Sequence, residues 1–409
     1  MQAETRERLL QIADQYIDDA EFRTTSSQKL NELRDQCPVM KTSSGVWLVT
    51  ADQGLRDVLR DGGVFSRRTA GFKHTMLDPG PARDYFTAKM LWHDGADHAR
   101  LRRLVTTVFT QRGIRKWEPD IEQIANALID KVEPQGKMDM ISDYSFALSQ
   151  RMICRLLGVP YEDREIWQSC VHRILEPPAG ADQTPFKDAA AAAILEFADY
   201  ILGLIAKRRS ATTEQDDILT RLLNAESSGD SELSETEVVA LCLEFIGAGF
   251  ESTGYFISTL VWLLLSHPVQ WAELQADRTL LDGAIDECLR LGGPAIITLP
   301  RAATRDIEVL GTRIPAGDTV LCLHDPANRD PASFDEPETF DIHRSPNPHN
   351  AFGSGAHMCI GKSLAWAESR IALTALLDRL PGLRLGADAP TKWGSHRYLR
   401  GLATLPVVW

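Results

Sequence analysis

The run Phe352-Gly353-Ser354-Gly355-Ala356-His357-Met358-Cys359-Ile360-Gly361 says more about this chain than any other stretch. Its three glycines allow tight turns and let the backbone approach a flat ligand closely. Cys359 stands where apolar periodicity predicts a helix from Ile360 to Leu380. Amides at a helix N-terminus are unsatisfied donors, and the dipole there favours negative charge. A sulfur so placed is pushed towards thiolate. Taken alone, the cluster is also compatible with a buried cysteine in a glycine-rich turn. A zinc site is a weaker reading, because His357 and Cys359 supply two ligands and no CxxC or HxxxH nearby completes four. A cysteine nucleophile needs a base oriented beside it, and His357, two residues away in a tight loop, is poorly placed for that. A thiolate can also hold haem iron.

Composition narrows the classes. The chain has 409 residues, 44% hydrophobic and 25% charged, which is ordinary for a globular protein with a sizeable core. A net charge of −13 argues against nucleic-acid binding, which needs a basic footprint. Seven cysteines at 37, 154, 170, 242, 288, 322 and 359 are odd in number and scattered, so no disulfide framework is expected. The first residues show no apolar signal region. The most apolar stretch, 255–266, is too short to span a bilayer. The expectation is a cytoplasmic protein with no membrane association.

Helical periodicity dominates, from Glu4–Ile17 to Lys362–Leu380, with one long helix expected over Glu235–Leu265. Ser234 and Glu237 have the spacing of a capping box at its start. Short strands are expected at Val46–Thr50, Ile296–Leu299, Ile307–Leu310 and Thr319–Leu323, with a C-terminal hairpin near Leu402–Val408. Long loops are expected over 66–93 and 176–186. No linker divides the chain, so a single domain over residues 1–409 is expected, mainly α with small β-sheets.

Three further motifs carry chemistry. Ala248-Gly249-Phe250-Glu251-Ser252-Thr253 lies inside the long helix, where Gly247 and Gly249 each cost roughly 1 kcal/mol against alanine. A helix tolerates that where something approaches the backbone; close helix packing is the alternative. Glu287 and Arg290 form an ExxR motif whose two charges share one helix face. His98 and Arg102 share a face at i and i+4, beside Arg100 and Arg103, where a solvated basic helix is the bland alternative.

The spacing Phe-Gly-x-Gly-x-His-x-Cys-x-Gly, together with these motifs in this order, resembles the cytochrome P450 monooxygenases over about residues 45–409. The resemblance implies a fold with a long central helix over a haem b, whose iron is ligated by Cys359. It implies that Phe352, Gly353 and Gly361 shape the haem loop and that Ala248 and Gly249 border the haem. His98, Arg102, Arg301 and His357 would meet the propionates, as charge-assisted bonds favour. Glu251, Ser252 and Thr253 would deliver protons during dioxygen activation. Ser252 is a departure: it keeps the family's hydroxyl but lacks the rotamer restriction of threonine. Glu287 and Arg290 would be a structural pair locking the segment before the haem loop, with His343 and Arg344 included.

By position in the family, Phe245, Ile296, Ile297, Leu299, Arg397 and Tyr398 would line a substrate pocket, with ordinary core or surface as the alternative for each. Basic residues in the first long loop (Arg67, Arg68, Lys73, His74) and the turn Ser395-His396-Arg397-Tyr398 suggest a substrate with a polar or acidic group, peptide-like or carrier-linked. No flavin or nicotinamide fingerprint is present, so electrons would come from a ferredoxin and ferredoxin reductase, docked on Arg103, Arg112, Arg115, Lys116 and Lys362. The resulting expectation is a monomeric haem-thiolate monooxygenase of secondary metabolism. Oxidative C–C or C–N coupling by the same haem and a non-catalytic haem sensor are the alternatives.

Overall fold

The computed structural model describes residues 3–68, 77–175, 184–210, 215–227, 233–387, 393–395 and 398–409. Lys73, His74, His396, Arg397 and most of the 176–186 loop lie outside these. The chain divides into two compact units: Met1–Thr69 with Trp117–Leu148 and Ser252–Trp409, and Ala70–Lys116 with Ser149–Glu251. The chain passes between them at 69/70, 116/117, 148/149 and 251/252. Those interleaved boundaries explain why no linker is visible in the sequence.

Among the described residues, the first unit holds all the sheets. Its five-stranded sheet runs in the order Val39–Lys41, Trp47–Val49, Thr319–Cys322, Arg301–Ala303, Phe65–Ser66. The second and third of these pair in parallel, and the remaining pairs are antiparallel. Side chains of a strand alternate faces, and here the alternation feeds two cores. Met40, Leu48 and Leu321 join Leu9, Tyr16 and Leu33 on one side. Val39, Val49, Val320 and Cys322 join Leu55, Val58 and Ile314 on the other.

Two strand expectations need correction. Residues around Ile296 form only isolated bridges, Ala295 to Leu399 and Ile297 to Leu323. The C-terminal hairpin does not form as one: Arg400–Leu402 pairs with Trp393–Ser395, whereas Pro406–Val408 pairs with Lys137–Asp139 and Arg384–Leu385. Alternating hydrophobicity marks a strand but not its partner, and these partners are remote in sequence.

The described part of the second unit is helical, including Gly95–Phe109, Arg164–Leu175, Thr184–Ser210 and Glu235–Gly249. Within the expected 66–93 loop, Pro81–Thr87 is a helix and Met90–Trp92 a turn of 3-10 helix. Helical stretches Phe186–Ser210 and Glu235–Ser266 have the length and apolar composition of a membrane span, contrary to the sequence reading. The second is largely buried within the protein and is interrupted.

That interruption corrects the single long helix. Glu235–Gly249 and Glu251–Ser266 are separate helices meeting at Phe250, whose φ and ψ are −108° and −44°. The Ser149 hydroxyl donates to the Phe250 carbonyl at 2.9 Å. A regular helix gives that carbonyl to an amide one turn on, so an inserted side chain is a sufficient cause for the break. The start is as expected: Ser234 and Glu237 form the reciprocal capping box.

Gly401 shows how tightly the first unit packs. A Cβ there would sit 1.7 Å from Tyr255 Cδ1, and the Tyr255 ring is set edge-on against Phe146 with centroids 4.9 Å apart. Gly401→Ala should therefore destabilise the protein by roughly 1–3 kcal/mol through overpacking. Denaturant unfolding checks this; an unchanged midpoint would show that the ring moves aside freely.

Candidate functional site

The loop that carries Cys359 is built from its start. Asn350 is buried, and its amide donates to Asn328 Oδ1 at 2.8 Å. Its side chain lies 2.6 Å from His324 Nδ1 through Oδ1 and donates to Asp52 Oδ1 at 3.3 Å. Burial lowers the His324 pKa, so a neutral ring donating from Nδ1 fits this contact. The Asn350 carbonyl then accepts from Gly353 at 2.7 Å, which starts the turn. Gly353 and Gly355 take φ of +67° and +72°, a region that favours glycine. At Gly355 a Cβ would also meet the Leu59 carbonyl at 2.4 Å. His357 ends the short 3-10 turn Gly355–His357, and the Cys359 amide closes back on the Phe352 carbonyl at 2.9 Å. Gly361 precedes the helix Lys362–Arg379, which begins at the expected Lys362. A side chain at Gly361 would come within 3.8 Å of the Cys359 sulfur.

None of the seven cysteines is in a disulfide, and Cys359 alone is exposed. Burial pushes the thiols of Cys154, Cys242 and Cys322 up to about 12 and raises those of Cys37, Cys170 and Cys288. Desolvation keeps a buried thiol protonated and inert. The structure thus separates one exposed cysteine from five buried ones and a half-buried Cys37. The buried-cysteine alternative fails at position 359.

Behind this loop lies the ExxR pair. Glu287 and Arg290 are both fully buried, and Arg290 clasps both carboxylate oxygens at 2.8 and 2.7 Å. Arg344 adds a bond at 3.2 Å, Asn347 one at 3.0 Å and the Asp341 amide one at 2.9 Å. Arg290 also donates to the carbonyls of Asn328, Pro337 and Thr339. Of the two partners expected from the loop before the cysteine, Arg344 joins the cluster. His343 instead faces Glu273 at 3.1 Å.

Arg301, on the strand Arg301–Ala303, is 1% exposed and donates through Nη1 to the Phe65 carbonyl at 3.1 Å. In the second unit, His98 is buried and Arg102 half-buried on Gly95–Phe109. Their neighbour Arg100 pairs with Glu237 of the capping box, so this helix face is not simply a solvated basic one.

Helix Glu235–Gly249 is buried continuously from Val238 to Ile246, then opens: Ala248 is exposed and Gly247 and Gly249 are half-buried. Glu251 and Ser252 are half-buried, and Thr253 is buried. The space above Gly249 belongs to Ile153, whose Cδ1 would lie 2.7 Å from a Cβ there. Close packing therefore accounts for Gly249, as the alternative reading held. Within the first unit, a bared sulfur beside a glycine turn and a buried guanidinium suit the donor set that a haem requires.

The pocket residues fare unevenly. Ile296, Ile297 and Tyr398 pack in the core with Leu9, Ile12 and Tyr16, and the Tyr16 hydroxyl bonds the Ile296 carbonyl at 3.2 Å. Phe245 is buried against Phe109, with ring centroids 5.6 Å apart. Phe245, Ile296 and Ile297 are buried side chains in the structure, and Tyr398 is half-buried against the core. Leu299 remains half-exposed, and Arg397 lies outside the described residues.

Breaking the ExxR cluster should be costly, because removing one partner strands the other charge in a dry interior. Arg290→Leu is expected to destabilise folding by about 3–5 kcal/mol. Chemical denaturation would measure it, and a change below about 1 kcal/mol would contradict the assigned role.

The family model described as Cytochrome P450 matches residues 39–381. The chain is 37% identical over 366 residues to 20-oxo-5-O-mycaminosyltylactone 23-monooxygenase of Streptomyces fradiae, covering 89% of this chain and 84% of that one. It is 34% identical over 388 residues to 6-deoxyerythronolide B hydroxylase of Saccharopolyspora erythraea, covering 92% and 94% respectively. Its structure superposes with a TM-score of 0.85 and 31% identity on P450BioI solved with an acyl carrier protein bearing hexadec-9Z-enoic acid, covering 95% of this chain and all of that one.

Proposed function

The chain belongs to the cytochrome P450 family, and from that membership we propose that Cys359 ligates its haem iron and that its substrate is a polyketide-type secondary metabolite. It is an oxygen-incorporating oxidoreductase, and its relatives are monooxygenases and hydroxylases of secondary metabolism. The observation that carries the ligand assignment is the contrast at Cys359: one exposed cysteine on a loop locked by two left-handed glycines, against five buried cysteines and a half-buried Cys37 whose thiol is also raised.

Bound haem supplies dioxygen activation driven by two external electrons. The chain's own residues do the rest. Cys359 would provide the thiolate that holds the iron. Phe352, Gly353 and Gly361 hold the loop that presents it. Arg301 and His357 supply donors for the propionates, and His98 and Arg102 add a second donor set. Ala248 leaves the helix open towards the ligand side. Glu251, with Ser252 and Thr253, hands protons inward. A carboxylate half-withdrawn from water beside two hydroxyls is a chemically adequate relay. Glu287 and Arg290 act through folding.

The two units serve one catalytic domain, with haem b, working as a soluble cytoplasmic monomer. Its electrons come from a ferredoxin and ferredoxin reductase. Substrate contact falls on Leu299, Arg397 and Tyr398; the burial of Phe245, Ile296 and Ile297 argues against contact there. Insertion of one oxygen atom is favoured over oxidative coupling by the hydroxylases among the relatives.

Cys359→Ser should abolish the thiolate-type carbon monoxide spectrum of the reduced holoprotein. Its persistence would remove Cys359 from the iron. Ser252→Ala and Glu251→Gln should keep that spectrum and slow product formation by about a hundredfold, the lower range for a lost acid–base group. If Ser252→Ala leaves the coupling of electrons to product unchanged, the proton route runs elsewhere.

A further inference from the structure

Glu368 stands about two turns into the helix Lys362–Arg379, on the chain shortly after Cys359. Its neighbours one turn away on the same face are apolar: Leu364 and Ala365 before it, Ile371 and Ala372 after it. Glu368 itself is 0% exposed. Among the described residues, neither of its carboxyl oxygens has a hydrogen-bond partner. Glu287 is just as buried, but it is held by Arg290, Arg344, Asn347 and the Asp341 amide. The two acids therefore call for opposite states. Glu287 is a paired anion. An unpartnered carboxylate in a dry interior is too costly to keep, so the group there takes a proton instead.

The surrounding charges are used elsewhere. The helix packs chiefly against Glu118–Val132 and also against Leu281–Gly292. On the first, the buried side chains Ile121, Ala125, Leu128, Ile129 and Val132 are apolar. Its charged groups are Glu118, Asp120, Glu122, Asp130 and Lys131, with Asp130 paired to Arg379 at 2.7 Å. On the second, Glu287 and Arg290 satisfy each other, Asp282 faces Arg370 at 3.4 Å and Asp286 faces His349 at 3.6 Å. Lys362 lies over the Phe352 ring. The Tyr144 hydroxyl donates to the Ala372 carbonyl at 3.0 Å. None of these groups steadies a charge on Glu368: burial alone raises its carboxyl well above the usual carboxylate range.

We propose that Glu368 is a proton-operated latch: the helix Lys362–Arg379 docks with this carboxyl neutral and is loosened when it ionises. The proton is taken from solvent on folding and returned on unfolding, where the side chain ionises as an ordinary glutamate. Between the ordinary value and the raised folded one, the folded form holds one proton more. The latch's stabilisation is therefore complete below that window and falls as pH rises through it. Nothing in it requires bound haem, and Glu368 and both neighbouring helices lie within the first unit.

Infrared difference spectroscopy of the holoprotein at about pH 7 should show the carbonyl stretch of a neutral carboxylic acid that is missing from Glu368→Gln and Glu368→Met. Urea unfolding reads the linkage. From about pH 5.5 to about pH 6.5 the unfolding constant of the unsubstituted protein should rise about tenfold relative to that of Glu368→Met, which is one proton per molecule. Taking the ratio of the two proteins cancels the other titrating groups. Both variants should fold, because removing an unpartnered buried acid strands no partner. A spectrum unchanged by either substitution, a ratio that stays within about twofold over that range, or failure of both variants to fold would each overturn the proposal.

Discussion

The carboxylate of Glu287 is the charge on which the sheet-bearing unit is organised. A buried ion tolerates no missing partner, and Glu287 is given several: Arg290 from its own helix, then Arg344, Asn347 and the Asp341 amide from one later segment. Arg290 spends its remaining donors on carbonyls at 328, 337 and 339. The irregular chain from 328 to 347 has little regular structure to fix it, so these bonds to one ion pair define its course.

From there the constraint passes to the cysteine loop. Asn328 accepts from the Asn350 amide, and Asn350 in turn touches His324, Asp52 and Gly353. Each bond is modest, near 1 kcal/mol net, but all are buried, so losing one strands its partner. The result is a turn of two left-handed glycines that brings one sulfur to the surface while every other thiol stays desolvated or partly so. Electrostatics of burial, rather than any special feature of the cysteine itself, selects the reactive one.

Much of this was legible because it is local. The Glu287–Arg290 spacing, the capping box at Ser234 and the glycine–cysteine turn each lie within one element, and each is present as expected. What escaped depends on partners remote in the chain. Ser149 breaks a helix a hundred residues away at Phe250. Pro406–Val408 finds its strand partner at Lys137–Asp139 rather than next door. Ile296 and Ile297 have the composition of a pocket wall but meet the N-terminal helix instead. Glu368 and Asn350 carry no motif; only burial, with bonding at Asn350 and its lack at Glu368, singles them out. Gly249 has a packing cause, Ile153, that no pattern within its own helix could reveal.

X-ray absorption at the iron edge of the purified ferric holoprotein addresses the central claim without any substrate or redox partner. The account predicts one sulfur scatterer in the iron's first coordination shell, lost when Cys359 alone is replaced. A shell of nitrogen and oxygen only, or a sulfur that persists after that replacement, would contradict it.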